Sequence, residues 1–328
     1  MEDTKLKFLF LGIMLASVLI GRSDNDSSKV KNAIQENIKD TSLTANLKSQ
    51  ENTVPSVKMQ EPQQNFTALV PQLGNLTAYR KNPGVPDPNF QVKAAIAEDL
   101  NSGFNFYSFN PENRWALASL TKLMSSVIAI EEIGKDKIVS VSKSAVDAEG
   151  PAGNLEVGEQ YSVSDLISAM LAVSSNDAAA AIAEFYETQN FVTKMQQKAD
   201  LLEMKQTTFF DPTGISFLNQ GTIHDLEKLV RYIYKNHPEI FAATKKQKTV
   251  ISELTKGIQK ELVNINNFSG REDFFGGKTG FTDQAEGNLI SLFNYKGHTL
   301  LLIILGTGDR FGQTDLLYNW IKQAYIFN

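Results

Sequence analysis

The sequence predicts an α+β fold, in which an antiparallel sheet is packed with helices. Two β-hairpin patterns lie far apart: apolar residues alternate over 90–109 around an Asn-Ser-Gly turn, and over 287–306 around a Lys-Gly turn. Helical periodicity fills the region between them. Strands at both ends of a domain with helices between them imply one sheet in which the N-terminal and C-terminal segments meet.

The helical block is predicted from apolar residues that recur every three to four positions. In the first helix these include Leu123, Met124, Val127 and Ile128, and Gly134 is a natural C-cap. The predicted helices, including one that closes the chain, span 120–133, 165–173, 178–186, 191–204, 223–234 and 314–325.

The N-terminus has the pattern of a targeting segment. Residues 8–21 are nearly all apolar, preceded by Lys5 and Lys7 and followed by Arg22. A membrane span needs about 20 apolar residues, so the length favours a signal peptide. Residues 19–21 are a poor cleavage site, which leaves an uncleaved membrane anchor open. In either case residues 1–22 predict export to the outer face of the cytoplasmic membrane, the periplasm or the cell wall.

The next segment differs sharply in composition. Residues 23–84 are rich in Asn, Ser, Gln, Lys and Thr, which predicts a polar, largely disordered linker. Pro83, Pro86 and Pro88 mark its end. Residues 85–328 then have a suitable length for one compact domain.

Composition excludes several classes of function. The 328 residues carry a net charge of −5, which argues against nucleic acid as a main partner. There is no cysteine, so disulfides and thiolate chemistry are excluded. The three histidines have no zinc-site spacing. We therefore expect neither a metal nor a cofactor.

The first of three motifs is Ser119-Leu120-Thr121-Lys122. A serine hydroxyl is a poor nucleophile without a neighbouring base, and a lysine three residues on in a helix shares its face. Ser-x-x-Lys also occurs at Ser28 and at Ser140, but only Ser119 precedes a helix-like apolar run. Ser119 at a helix N-terminus would also face free N–H groups that favour developing negative charge.

The other two motifs follow in order along the chain. Ser174-Ser175-Asn176 falls between two predicted helices and offers a hydroxyl and an amide for proton relay and substrate orientation; Asp177 is expected to cap the second helix. Lys278-Thr279-Gly280, on or beside an edge strand, offers a cation, a hydroxyl and an open backbone. Together the three motifs predict a serine acyl-transfer site.

The region from about residue 90 to the C-terminus resembles the D-alanyl-D-alanine carboxypeptidase family, the low-molecular-mass penicillin-binding proteins. The matching runs are ASLTKLM at 118–124, NDAA at 176–179, TFFDPTG at 208–214 and GKTGFT at 277–282. The resemblance implies the β-lactamase/transpeptidase fold: a five-stranded antiparallel sheet flanked by helices, plus a helical subdomain. It also implies a role in cell-wall biogenesis and cell shape, and covalent inhibition by β-lactams.

The resemblance, together with residue chemistry, implies a mechanism. Ser119 would attack the bond between the two D-alanines that end a peptidoglycan stem peptide. Lys122 would take its proton, aided by burial and by repulsion from Lys278: a cation about 4 Å away is worth on the order of 4 kcal/mol, roughly three pKa units. The resemblance implies proton relay for Ser174 and substrate orientation for Asn176. It implies carboxylate binding by Lys278 and Thr279, for which Arg310 is an additional candidate. The N–H groups of Ser119 and Phe281 are implied to form the oxyanion hole.

Several alternatives remain open at this point. A cross-linked amine as the leaving group would give a D,D-endopeptidase, and a stem-peptide amine as the acceptor would give a transpeptidase. A class A β-lactamase needs a glutamate to activate the deacylating water, and Ile215 occupies the matching position before Leu218-Asn219. A non-catalytic peptidoglycan-binding protein is disfavoured because all the motif residues are intact.

Overall fold

A computed structural model describes residues 79–80, 84–150 and 153–327. The predicted signal segment or anchor at 1–22, and nearly all of the predicted linker at 23–84, lie outside the described residues. Among the helices that are described, none combines the length and the apolar character that a membrane crossing requires.

The predicted combination of strands and helices is confirmed. The strands are β1 (Tyr79–Arg80), β2 (Ala94–Asp99), β3 (Asn105–Phe109), β4 (Trp115–Ala116), β5 (Ile138–Ser140), β6 (Gln160–Ser162), β7 (Gln220–Gly221), β8 (Lys248–Ser252), β9 (Gln259–Val263), β10 (Phe274–Thr282), β11 (Glu286–Tyr295), β12 (His298–Thr307) and β13 (Tyr325–Ile326). The helices are α1 (Thr121–Ile128), α2 (Lys143–Val146), α3 (Val163–Ala172), α4 (Asn176–Phe185), α5 (Thr188–Leu201), α6 (Ile223–Asn236), α7 (Pro238–Lys245) and α8 (Arg310–Ala324).

The central sheet has five antiparallel strands in the order β10-β11-β12-β2-β3. The two predicted hairpins, β2–β3 and β11–β12, therefore lie side by side, joined by the pairing of β12 with β2. The strand with the Lys-Thr-Gly motif, β10, is at one edge. An edge strand leaves one row of backbone groups free to meet a ligand.

The sheet separates two hydrophobic cores, which explains why β12 is apolar on both faces. Leu301 and Ile303 pack in the core shared with most of the helices, whereas Leu302 and Ile304 pack in the core shared with α8. Successive side chains of a strand point to opposite faces. A strand buried on both faces thus reads as a continuous apolar run.

Some elements were not predicted. The β8–β9 hairpin, α2 and α7 are absent from the sequence prediction, because these segments are short or largely polar. Helix α8 begins at Arg310 rather than 314, since the Asp309 side chain caps it by accepting from the Gly312 N–H at 2.9 Å. At the ends of the domain, β1 pairs with β13, so Tyr79–Arg80, inside the segment predicted as linker, forms a short strand.

Candidate active site

Ser119 lies in a short 3₁₀ turn, Ala118–Leu120, that runs directly into α1. The residue before the serine, Ala118, has a φ of +49°. This left-handed conformation costs a non-glycine residue roughly 1–2 kcal/mol. The turn therefore holds the serine at the start of a helix, with Lys122 following on α1.

The side chain of Asn288, on β11, holds the backbone that leads into this turn. Its amide nitrogen donates to the carbonyl oxygens of Ala116 at 2.8 Å and Leu117 at 3.2 Å, and its oxygen accepts from the Gly306 N–H at 2.9 Å. Asn288 is fully buried. Three hydrogen bonds thus tie the segment before Ser119 to two strands of the sheet.

Lys122 is the predicted base, and its amine lies against the serine. The Nζ atom is 2.9 Å from the Ser119 Oγ and donates to the Thr213 carbonyl oxygen at 2.6 Å. The side chain is completely buried, and this burial lowers the lysine pKa to about 7, although the carboxylates of Asp211 and Asp177 oppose the shift. An amine with this pKa is neutral in a large fraction of molecules near neutral pH.

The loop that supplies the Thr213 carbonyl is packed against the 3₁₀ turn at Ala118–Leu120, called the nucleophile turn after its predicted nucleophile Ser119. Gly214 has a φ of +85°, and a Cβ at this position would lie 1.9 Å from the Ala118 carbonyl oxygen. The Asp211 carboxylate fixes the loop by accepting the N–H groups of Thr213 and Gly214 at 2.7 Å and that of Ser216 at 2.9 Å. The run at 208–214 is recognisable in the sequence, but the sequence alone predicted no role for its members.

Ser174 lies between α3 and α4, with a φ of +60°. Its hydroxyl accepts a hydrogen bond from the Lys278 amine at 2.9 Å, and the same amine donates to the Thr279 carbonyl at 2.8 Å. A direct hydrogen bond therefore links the Ser-Ser-Asn motif at 174–176 to the Lys-Thr-Gly motif at 278–280.

Asn176 begins α4, and the helix cap differs from the prediction. Ser175, not Asp177, is the N-cap: its hydroxyl accepts the Ala178 N–H at 3.0 Å. Asp177 lies in the first turn and accepts the same N–H at 2.9 Å. The Asn176 amide donates to the Glu149 carbonyl at 2.5 Å, and its buried oxygen has no hydrogen-bond partner among the described residues.

Strand β10 passes close to the nucleophile turn because Gly280 has no side chain. A Cβ at Gly280 would lie 3.0 Å from the Leu117 carbonyl oxygen. The Gly280 carbonyl accepts a hydrogen bond from the Arg310 guanidinium at 2.9 Å, which brings this arginine into the site. Phe281, the next residue, is 62% exposed at the mouth of the cleft.

The charge state of Lys278 depends on burial as well. Burial lowers the pKa of the Lys278 amine well below its usual value, and the charges of Lys122 and Arg310 lower it further. The sequence predicted that repulsion between the two lysines, together with burial, would lower the pKa of Lys122. In the structure, burial is the largest cause for both amines, because both side chains lie beneath the surface of the cleft.

The structure brings all seven predicted site residues to one cleft. Its cavity, of about 850 Å³, is lined by Ser119, Ser174, Thr279 and Phe281, together with other residues that include Glu149 and Arg310. The other three predicted residues are buried, and each is hydrogen-bonded to a residue that lines the cavity: Lys122 to Ser119, Lys278 to Ser174, and Asn176 to Glu149. Across the described ranges, no group of three His, Cys, Asp or Glu side chains is arranged to hold a metal ion.

Comparison with known proteins agrees with this geometry. A family model described as D-alanyl-D-alanine carboxypeptidase matches residues 81–308. A D-alanyl-D-alanine endopeptidase of Pseudomonas aeruginosa is 29% identical over 244 residues, which is 71% of this chain and 78% of that protein. The D-alanyl-D-alanine carboxypeptidase DacF of Bacillus subtilis is 30% identical over 210 residues, 60% of this chain and 52% of that protein.

Solved structures share the fold. A D-alanyl-D-alanine carboxypeptidase of Mycobacterium tuberculosis superposes with a TM-score of 0.68 at 23% identity, over 76% of this chain and 99% of that chain. Penicillin-binding protein D2 of Listeria monocytogenes, in its cefotaxime-bound form, gives a TM-score of 0.64 at 27% identity, over 72% and 99% of the two chains. With a family match over more than half its length, this chain belongs to the D-alanyl-D-alanine carboxypeptidase family and is a serine hydrolase.

Proposed function

We propose that this chain is a serine-type D-alanyl-D-alanine carboxypeptidase that trims peptidoglycan stem peptides through an acyl-enzyme on Ser119. The observation that supports this most directly is the 2.9 Å contact between the Ser119 hydroxyl and the Lys122 amine, whose pKa burial lowers to about 7. A neutral amine at hydrogen-bond distance can accept the hydroxyl proton as the serine attacks.

The substrate's terminal carboxylate binds at the β10 side of the cleft. Thr279 lines the cavity there, with Lys278 buried behind it and Arg310 beside it. An incoming carboxylate favours the charged form of a nearby lysine, so substrate binding stabilises the ammonium form of Lys278. This coupling gives the site a preference for a peptide with a free C-terminus.

The reaction proceeds in two acyl transfers. The Ser119 Oγ attacks the carbonyl of the penultimate D-alanine while Lys122 takes its proton, and the N–H groups of Ser119 and Phe281 stabilise the oxyanion by about 3–4 kcal/mol per donor. Ser174 relays a proton to the leaving amine as the C–N bond breaks, and D-alanine departs. Asn176 orients the substrate amide. Water then hydrolyses the ester and frees Ser119.

The same attack on a β-lactam ring gives a stable acyl-enzyme. Ile215 stands where a class A β-lactamase would have its water-activating glutamate, so the ester is cleared slowly. The cefotaxime-bound form of the Listeria relative is consistent with β-lactams as ligands. Because peptidoglycan lies outside the cytoplasm, the function requires export, for which residues 1–22 provide a signal or a membrane anchor.

Two assays on the purified full-length chain test the proposal. Digestion of pentapeptide stem peptides should release free D-alanine. A fluorescent penicillin should label the wild type covalently and lastingly but not Ser119→Ala, while Ser28→Ala and Ser140→Ala, at the other two Ser-x-x-Lys sequences, should label normally. Labelling that persists in Ser119→Ala, or no release of D-alanine by a protein that penicillin labels, would refute it.

A further inference from the structure

The Asp211 side chain holds the backbone group that accepts a hydrogen bond from the Lys122 amine. Its Oδ1 atom accepts from the Thr213 hydroxyl at 2.6 Å and from the N–H groups of Thr213 and Gly214 at 2.7 Å. Its Oδ2 atom accepts from the Ser216 N–H at 2.9 Å. The residue whose carbonyl meets Lys122 at 2.6 Å is therefore bonded to Asp211 through both its N–H and its hydroxyl.

The Thr213 carbonyl decides which way the neutral Lys122 amine points. A neutral amine has two N–H bonds and one lone pair, and only the lone pair can take the serine proton. One N–H bond is directed at the Thr213 carbonyl, which leaves the lone pair free to face the Ser119 Oγ atom 2.9 Å away. Displacement of Thr213 would turn the lone pair away from the nucleophile.

The Asp211 carboxylate also places a negative charge near the base. Burial lowers the pKa of the Lys122 amine, and Asp211 opposes this shift more strongly than Asp177 on α4 does. The other charged group that faces Lys122 is Lys278 on β10, which Arg310 faces in turn. A negative charge stabilises the ammonium form of a lysine. Asp211 thus keeps Lys122 a stronger base than burial alone would leave it.

We propose that Asp211 is a positioning residue for the general base: it aims the Lys122 lone pair at Ser119 and sets the pH range in which the enzyme works. General base catalysis is most efficient when the basicity of the group matches the working pH. Without the carboxylate, the buried amine would be neutral at lower pH but would attract the serine proton less strongly. The inference rests on the proposed acyl-enzyme at Ser119, and it concerns a residue that does not line the catalytic cavity.

The test measures acylation of the full-length protein by a chromogenic β-lactam as a function of pH. Asp211→Asn removes the negative charge and keeps one oxygen acceptor for the loop, whereas Asp211→Glu keeps the charge on a longer side chain. Asp225→Asn is the matched control. The buried Asp225 carboxylate likewise accepts from a loop, at 2.8 Å from the Gln206 N–H and 2.9 Å from the Thr207 hydroxyl. It is not among the charges that shift the Lys122 pKa.

We expect the midpoint of the acylation–pH profile to fall by about one pH unit in Asp211→Asn, because the ammonium form of Lys122 loses a stabilising negative charge. The rate at high pH should also fall by about tenfold or more, because the base is weaker and less well aimed. Asp211→Glu should acylate more slowly than the wild type with the same midpoint. Asp225→Asn should lower the melting temperature and leave the midpoint in place.

A midpoint that stays in place or rises in Asp211→Asn would overturn the inference and leave the acyl-enzyme intact. An equal displacement in Asp225→Asn would overturn it as well. If Asp211→Asn does not fold, Asp211→Ser is a second neutral variant, whose hydroxyl can still accept from the Thr213 N–H. Loss of folding in both neutral variants, but not in Asp211→Glu, would mean that the charge serves the fold alone. A wild type that is not acylated at any pH would instead refute the function proposed above.

Discussion

Lys122 shows how a single residue acquires its chemistry from its position. A solvent-exposed lysine is almost always protonated at neutral pH and cannot act as a base. Burial lowers the pKa of the Lys122 amine to about 7, and the contacts with Ser119 and the Thr213 carbonyl hold it in place. The sequence predicted Lys122 as the base. The sequence did not show that burial is the main cause of the lowered Lys122 pKa, because burial depends on residues far away in the chain.

The two lysines are predicted to respond differently to substitution. The acylation rate of the wild type should rise with pH around a midpoint near 7, because only the neutral Lys122 amine accepts a proton. Lys122→Arg should nearly abolish acylation, since a guanidinium stays protonated, whereas Lys278→Arg keeps a cation and should only weaken it. In Lys278→Ala the midpoint of the acylation–pH profile should move to higher pH. Loss of the neighbouring positive charge makes protonation of Lys122 easier and raises its pKa.

Stopped-flow acylation by a chromogenic β-lactam, measured against pH for the wild type and the three variants, checks this prediction. The expected pattern is a near-complete loss of acylation in Lys122→Arg and a partial loss in Lys278→Arg. In Lys278→Ala the pH profile of acylation should be displaced to higher pH. Losses of equal size without any change in pH dependence would mean that Ser119 is activated in another way.

At the scale of secondary-structure elements, the site depends on close contacts between segments distant in sequence. The Ser119 turn is held by Asn288 on β11 and touched by the loop at Gly214. Neither contact was predicted, although Gly214 lies in the recognised run at 208–214. Local patterns predict where a helix or strand begins, but they do not show which carbonyl an amide more than 150 residues away will meet.

Asn288→Ala tests whether Asn288 positions the backbone before Ser119 in addition to stabilising the fold. Loss of three buried hydrogen bonds should lower the free energy of unfolding by about 1–3 kcal/mol and should also slow acylation, because the backbone before Ser119 is released. Asn264 is a matched control: its amide donates to the carbonyls of Thr244 and Lys246, and its oxygen accepts the Asn266 N–H. Asn264→Ala should lower the melting temperature while acylation of the folded protein stays normal. Equal acylation by the two variants would contradict a positioning role for Asn288.

Gly214→Ala should disrupt the site through a direct clash. The added Cβ would lie 1.9 Å from the Ala118 carbonyl, so the loop or the nucleophile turn must move. Gly257 has a similar φ of +70° but open space around its Cβ position. Gly257→Ala therefore has a comparable backbone cost of roughly 1–2 kcal/mol without the clash. Acylation rates of the two variants at a temperature where both are folded should differ strongly, and similar rates would show that the contact is unimportant.

For the whole molecule, the sequence predicted the fold class and most of the elements, because the strands and longer helices have strong periodicity. The β8–β9 hairpin lacks such a signal, since most of its residues are exposed or half-buried. The sequence did not predict that β12 is buried between two cores. That burial depends on the central place of β12 in the strand order, which is set by pairing between distant segments.

The domain boundary gives a prediction at the same scale. Deletion of residues 1–75 removes the proposed signal segment and most of the proposed linker, but keeps the β1 strand that pairs with β13. The shortened protein should be soluble and folded and should react with penicillin at the wild-type rate, because every site residue lies between 119 and 310. Size-exclusion chromatography, thermal unfolding and penicillin labelling check it. A truncated protein that does not fold or react would place part of the functional domain before residue 76.

Two residues on either side of the cleft, Ala118 and Ser174, have left-handed backbone conformations that glycine would adopt more easily. Variants selected for heat resistance alone would therefore tend to acquire glycine at these positions. The hydroxyl that accepts from Lys278 would be lost at 174, and the methyl group that packs beside Gly280 would be lost at 118. Thermal robustness and turnover thus compete at the same two positions, so a directed-evolution experiment on this enzyme has to select for both together.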